Sequence, residues 1–267
     1  MNAADRGNGS PNESGSAQFS PGREVTVGTE LVMTEPQADH AKGASGAPSS
    51  IALRSPCKPS RELLVAHMPG HAYSERMRHL RTELMLRHTP GRAECLALAL
   101  ISPAREEGRT VLAAELALTF SQLGRRTLLI DGDMRRPRQH QLFQIPQQDG
   151  LSRLISEFTP QALLRVEGFP ALHVLTAGHA VEQNPSELFS DGRFDALIRK
   201  FRELFDFIVV DTPGFTEFTD ARVISTVIGN VVTVNRAGHT SLRASREMLA
   251  QLKPSGASVM GAVLSDF

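Results

Sequence analysis

The chain has 267 residues, and its 29 Lys and Arg balance 29 Asp and Glu for a formal net charge of zero. A protein that coats nucleic acid carries a basic excess, so this balance sets that class aside. Cys57 and Cys95 stand alone, without the spacing of a disulfide framework or zinc site, which suits a reducing cytoplasm. The longest apolar run, Cys95 to Ile101, is seven residues, against the roughly 20 that a membrane helix needs. The polar start does not read as a signal peptide.

Residues 1–50 hold seven Gly, seven Ser and four Pro, with Phe19 as their one aromatic residue. Such a composition buries too little apolar surface to offset its ordering entropy, so residues 1–60 read as a disordered tail, with a weak strand-like pattern at Glu24 to Met33. From Arg61 to Phe267 the composition is that of one globular domain. Buried strands are expected at Leu96–Ile101, Thr127–Ile130, Leu172–Leu175, Phe207–Val210, Val231–Val234 and Val259–Leu264. Helices are expected at 71–88, Thr110–Leu123, Ser186–Leu204, Asp220–Val227 and Ser241–Leu252. Alternating apolar strands and helices make an α/β fold, a mostly parallel central sheet with helices on both faces. Ligands bind such sheets at the carboxyl ends of the strands.

Three strand ends carry chemistry. The first runs into Ser102-Pro-Ala-Arg-Glu-Glu-Gly-Arg-Thr110 and a helix, where backbone N–H groups of Glu107, Gly108, Arg109, Thr110 and Val111 could cradle phosphate. Against the pattern G-x-x-x-x-G-K-[ST], Gly108 and Thr110 match, while Pro103 and Arg109 replace the first Gly and the Lys. The second strand ends in Asp131 and Asp133, which an extended backbone puts on one side, suited to magnesium or to a hydroxyl proton. Asp133 also has the position of a turn cap. The third ends in Asp211 after four apolar residues, the layout of a Walker B site. Before the first strand, Glu75, Arg78 and Arg81 share a helical arc of about 120° beside an apolar stripe of Met77, Leu80 and Leu84. By spacing alone this is a solvated face with an internal ion pair.

The run from Asp131, Asp133 and Arg135 through RPRQHQLF to Phe143 resembles the second Walker motif of bacterial tyrosine kinases, relatives of the ParA/MinD ATPases with a P-loop NTPase fold. NPSELF at Asn184–Phe189, FDFIVVDTP at Phe205–Pro213 and GAVLSDF at Gly261–Phe267 follow in the same order. Arg109 and the block from Phe120 are similar to the EpsG-type kinases of exopolysaccharide clusters. The resemblance, over Arg61 to Phe267, implies ATP and Mg2+ as cofactors and transfer of a phosphoryl group to tyrosine. It gives Gly108, Arg109 and Thr110 to the phosphates, with Arg135 also at the cofactor, and places Thr110, Asp131 and Asp211 around the metal. Asp131 polarises the acceptor hydroxyl with support from Asp133. It makes Glu75, Arg78 and Arg81 a self-association motif for a homo-oligomer. A membrane chain-length-determinant protein, a polysaccharide co-polymerase, is the implied partner. The protein would then be cytoplasmic and peripheral to the inner membrane only through that partner.

Departures from the family open a second reading. Glu106 replaces a loop Gly, and a carboxylate about 4 Å from a phosphate charge costs about 1 to 4 kcal/mol. That is about one to three decades of affinity. Ser265 replaces an Asn near the nucleotide base. The one tyrosine is Tyr73, so the terminal tyrosine cluster of the family is missing. A catalytically weak regulatory module of the same pathway is therefore the alternative. A ParA/MinD-like positioning ATPase is the third reading, against which stands Ala104 in the place of that group's signature Lys.

Overall fold

The computed structural model describes residues 53–88, 95–146, 148–157, 163–179 and 184–265, and for 53–56 the backbone alone. The tail up to residue 52, with its strand-like stretch at Glu24 to Met33, lies outside the described residues, as do Asp266 and Phe267. In chain order the elements are β1 (Leu53–Cys57), α1 (Leu64–His67), α2 (Ala72–Arg87), β2 (Leu96–Ile101), α3 (Arg109–Ser121) and β3 (Thr127–Asp131). Then come α4 (Gln139–Leu142), α5 (Leu151–Glu157), β4 (Leu163–Val166), β5 (Phe169–Leu175), α6 (Pro185–Ser190) and α7 (Arg193–Leu204). The chain continues through β6 (Phe207–Asp211), α8 (Asp220–Ile228), β7 (Asn230–Arg236), α9 (Leu242–Leu252) and β8 (Ser258–Ser265).

The strands form one eight-stranded sheet in the order β1-β4-β5-β3-β6-β2-β7-β8. Only β4 and β5 pair antiparallel, and the other neighbours are parallel. Side chains alternate within the apolar strands, as the pleat requires. Leu96, Leu98 and Leu100 pack on one face with Leu112, Leu116 and Phe120 of α3, while Ala97, Ala99 and Ile101 pack on the other with Phe194, Ile198, Phe201 and Ile224. The helix α3 is buried on every side from Leu112 to Ser121, because α1 and α2 cover the face it turns away from the sheet. Its N-terminus therefore has one open end, toward the strand tips.

Three features differ from the expected layout. Regular structure among the described residues includes Leu53–Cys57, ahead of Arg61, which adds β1 beside β4. Pro56 hid it, since proline is tolerated in edge strands but breaks the pattern of central ones. The stretch Ser186–Leu204 is two helices, interrupted at Gly192, whose φ of 83° no other residue adopts readily. And β4, at four residues with an exposed Arg165, was too short and polar to read as a buried strand. Among the described residues no helix is long and apolar enough to cross a membrane.

Candidate active site

Because β6 lies between β2 and β3, the segments that leave these three strands emerge side by side. The loop after β2 is tied down from within. Ser102 Oγ donates to the Ala104 carbonyl at 2.8 Å, and Glu107, with its side chain turned inward, accepts from Ala104 N at 3.0 Å and from Thr240 Oγ1 at 2.5 Å. Ser265 Oγ donates to the Glu107 carbonyl at 3.1 Å, so this hydroxyl braces the loop. Gly108 caps α3 with a φ of 85°, and Glu106 is held at a φ of 59°, a left-handed conformation that disfavours a residue with a Cβ. Arg236 Nη1 donates to the Glu106 carbonyl at 3.1 Å and fixes that turn. Above the loop lies a cleft of about 160 Å³ lined by Arg105 to Val111, Asp133, Arg136 and Arg138. The N-terminal N–H groups of the 13-residue α3 face a partial positive charge's worth of unsatisfied donors toward it.

Arg109 turns inward, beneath the cleft. Its guanidinium is 7% exposed, with Nε 3.4 Å from Asp211 Oδ1 and Nη2 4.0 Å from Asp133 Oδ2. Nη1 donates to Ser102 Oγ and, at 3.4 Å, to the Ala104 carbonyl. Arg109 is thus the cation that balances the carboxylates at the strand ends.

Those carboxylates differ in their surroundings. Asp131 is fully buried, its Oδ1 accepting from Asp133 N at 3.2 Å and its Oδ2 from Arg138 N and Gln139 N at 3.2 and 3.0 Å. Burial first, then the nearby Asp211, pushes its pKa well above the usual carboxylate range. Burial also pushes Asp211 up, while Arg109 pulls it down. Asp133 reaches the cleft. It also caps the turn, accepting from Arg135 N and Arg136 N at 3.2 and 3.0 Å, and burial raises its pKa against the pull of Arg109. Gly132 lets the strand ends close up, because a Cβ there would lie 2.6 Å from the Asp211 carbonyl.

No protein-family model matches the chain. CapB of Staphylococcus aureus, which bears a tyrosine-protein kinase name, is 35% identical over 204 residues, covering 76% of this chain and 88% of CapB. The chain belongs to the bacterial tyrosine kinase family. The tyrosine-protein kinase ptk of Acinetobacter johnsonii is 30% identical over 72% of this chain, which spans only 26% of that larger protein. Among solved structures, the chimerical protein CapA2B2 aligns with a TM-score of 0.71 and 30% identity, over 80% of this chain and 95% of that one. MinD from Pyrococcus horikoshii, solved with Mg-ADP, shares the fold at a TM-score of 0.51 and 18% identity, over 63% of this chain and 69% of MinD.

Within this tyrosine-kinase fold the structure brings Glu107, Gly108, Arg109, Thr110, Val111 and Asp133 to one cleft, with Asp131 and Asp211 beneath it. Arg135 does not join them. Its Nε donates to buried Asp220 Oδ2 at 2.8 Å and its Nη2 to Asn184 Oδ1 and Ser186 Oγ at 2.9 and 3.2 Å, and the guanidinium stacks 3.9 Å from the Phe218 ring centroid. In this structure Arg135 ties the loop after β3 to helices α6 and α8. NPSELF has a matching local logic, since Asn184 Oδ1 caps α6 by accepting from Ser186 N at 3.1 Å.

On α2, Glu75 and Arg78 make a two-pronged ion pair at 2.6 and 3.2 Å, and Arg81 Nη1 turns to the Thr119 carbonyl of α3 at 2.7 Å. Within one chain the ion pair joins Glu75 and Arg78, and Arg81 instead fastens α2 to α3. Tyr73 is half-buried instead of exposed, and its hydroxyl is buried with no hydrogen-bond partner among the described residues. Burial and the neighbouring Glu115 push its pKa up. Gln139, Asp220 and Glu115 are buried polar residues that the sequence reading did not single out. Glu115 carried a signal, a charged side chain inside the apolar stretch LAAELAL, whereas Gln139 and Asp220 lie in polar stretches and carried none.

Proposed function

We propose that the protein is a tyrosine kinase that binds Mg–ATP at the α3 loop and transfers a phosphoryl group to a tyrosine of another protein, as part of exopolysaccharide synthesis and export. The observation that carries this reading is the convergence of the loop, Asp133 and Asp211 on one cleft and the layer beneath it. The chemistry of the donor set fits magnesium: a Thr110 hydroxyl and carboxylate oxygens are hard ligands, and Asp211 Oδ1 has no hydrogen bond among the described residues. Among those residues no three His, Cys, Asp or Glu side chains form a ready-made metal cage, which agrees with an ion completed by phosphate oxygens and water. Bound Mg–ATP supplies the transferable phosphoryl group and neutralises its developing charge.

The chain's own groups do the rest. Backbone N–H groups from Glu107 to Val111 hold phosphate oxygens at the α3 N-terminus. Arg109 leaves Asp211 for the phosphates, and Thr110 with Asp211 orients the metal's ligand shell. Asp133, the carboxylate that reaches the cleft, faces the acceptor hydroxyl, and its raised pKa makes it a stronger proton acceptor than an ordinary aspartate. Asp131 holds the turn behind it through three backbone N–H groups. The Tyr73 hydroxyl is buried, which supports an acceptor on a partner. A membrane chain-length-determinant protein fits that role, and would bring the kinase to the cytoplasmic face of the membrane as a homo-oligomer with Glu75, Arg78 and Arg81 at the subunit contact.

Calorimetric titration of ATP and magnesium into the full chain tests this, with Asp211→Ala as control. Micromolar binding lost in the variant supports the kinase; no binding up to millimolar ATP sinks it. The second reading, a regulatory module weak in nucleotide, is favoured by the left-handed Glu106 and by the inward Arg109. Gain of ATP binding in Glu106→Gly over an inert wild type would select it.

A further inference from the structure

Gln139 opens α4 and is fully buried at the point where the three strand-end segments meet. Its Nε2 donates to the Thr110 carbonyl at 2.9 Å and to Asp211 Oδ2 at 3.1 Å, while its backbone N–H donates to Asp131 Oδ2 at 3.0 Å. Both side-chain partners are acceptors only, so the orientation of the amide follows from chemistry. Rotation of a carboxylate about its last bond is otherwise soft. With Oδ2 held by Gln139, the Asp211 oxygen turned toward Arg109 is Oδ1, the atom with no hydrogen bond among the described residues.

The same amide group anchors the first turn of α3 through the Thr110 carbonyl. One side chain thus bridges the Thr110 carbonyl and Asp211, beside the direct interaction of the Thr110 hydroxyl with Asp211. We propose that Gln139 is a positioning residue that fixes Thr110 and Asp211 relative to each other for the divalent cation of the phosphoryl donor. The inference rests on the Mg–ATP reading above. It assigns Gln139 no contact with the nucleotide.

The test is ATP binding by the full chain with and without magnesium, for wild type, Gln139→Met and Gln139→Leu. Methionine keeps the length of the side chain and removes the donor, and leucine is the second variant in case the first does not fold. Groups that orient metal ligands are worth about 10- to 100-fold in metal affinity. The magnesium concentration for half-maximal ATP binding should rise at least 10-fold on that basis, with magnesium-free ATP affinity within about twofold of wild type. A purely structural role would lower both together, and that result, or an unchanged magnesium requirement, overturns the proposal.

Failure of the Mg–ATP reading would show separately, as a wild type that binds no nucleotide. Gln139 is then judged in the ligand-free chain by a urea double-mutant cycle of Gln139→Met with Asp211→Ala. Non-additivity of about fivefold or more in the unfolding constant supports Gln139 as the residue that holds Asp211, and additivity within about twofold overturns it.

Discussion

Glu115 lies on the face of α3 that α1 covers, fully buried, with Oε1 accepting from Leu64 N at 2.6 Å and Oε2 from Val65 N at 3.1 Å. It thereby fastens α1 to the helix that carries the phosphate loop. Burial pushes its pKa up from 4.5 to about 7, against the pull of the two N–H groups. Tyr73, on α2, is the other titratable group against it. Between pH 4.5 and 7 the folded chain keeps a proton on Glu115 that the unfolded chain has lost. Stability is then highest below that window and falls as pH rises through it. The fall amounts to about 2 to 3 kcal/mol between pH 5 and pH 8. Glu115→Gln removes this titration. Its carbonyl can accept one of the two N–H groups, but its amide faces the other, a loss of about 1 kcal/mol. The variant should therefore match wild type within about 1 kcal/mol at pH 5 and exceed it by about 2 kcal/mol at pH 8. Urea unfolding of both proteins at several pH values measures the difference, in which titrations common to both cancel. A difference that stays constant with pH refutes the reasoning.

Three further outcomes follow from the loop and from α2. Glu106→Gly relieves a left-handed residue and removes a carboxylate beside the phosphate cleft, so ATP affinity should rise at least about 10-fold by calorimetry; an unchanged affinity contradicts the placement of phosphate there. Arg109→Ala leaves Asp211 buried without its cation, and the ligand-free protein should lose about 3 to 5 kcal/mol in urea unfolding at pH 7; a loss under about 1 kcal/mol would show that the inward ion pair does not form. Tyr73→Phe deletes a buried hydroxyl that has no hydrogen-bond partner among the described residues, so stability should hold or improve by up to about 1 kcal/mol. Incubated with Mg–ATP alone, neither wild type nor this variant should acquire phosphotyrosine, which mass spectrometry of the intact chain decides.

The strands that carry the site were legible because each is an unbroken apolar run closed by a carboxylate or a turn: Leu96–Ile101, Thr127–Asp131 and Phe207–Asp211. Strands β1 and β4 lack that mark. Pro56 interrupts the run in the edge strand β1, and an exposed Arg165 interrupts the four-residue β4 beside it. Motif spacing located Gly108, Thr110 and the three aspartates, because it reflects distances along one backbone. It did not show the partner of Arg135, which is Asp220, 85 residues away. It passed over Gln139 for the same reason, since its partners Thr110 and Asp211 are 29 and 72 residues distant. Side chains that link separate segments leave no periodicity to read.

Arg109 shows how one exchange changes the resting state of such a site. A lysine has a single point charge, whereas the planar guanidinium can meet several acceptors at once. Here it spans Ser102 Oγ, the Ala104 carbonyl and Asp211, and so folds back beneath the loop. At 3.4 Å from Asp211 Oδ1, its attraction is about 5 kcal/mol at an effective dielectric constant of about 20. Without it, Asp131 and Asp211 would place two carboxyls in a dry layer with no balancing charge, the arrangement that most disfavours ionisation. On the proposed function, nucleotide must draw Arg109 away while bringing its own cation to Asp211. The exchange replaces one positive charge beside Asp211 by another, so the ion pair broken on binding is offset where it is lost. Phosphate without magnesium would leave Asp211 unbalanced. The inward arginine therefore couples nucleotide binding to magnesium, so ATP should bind more weakly without the ion than with it.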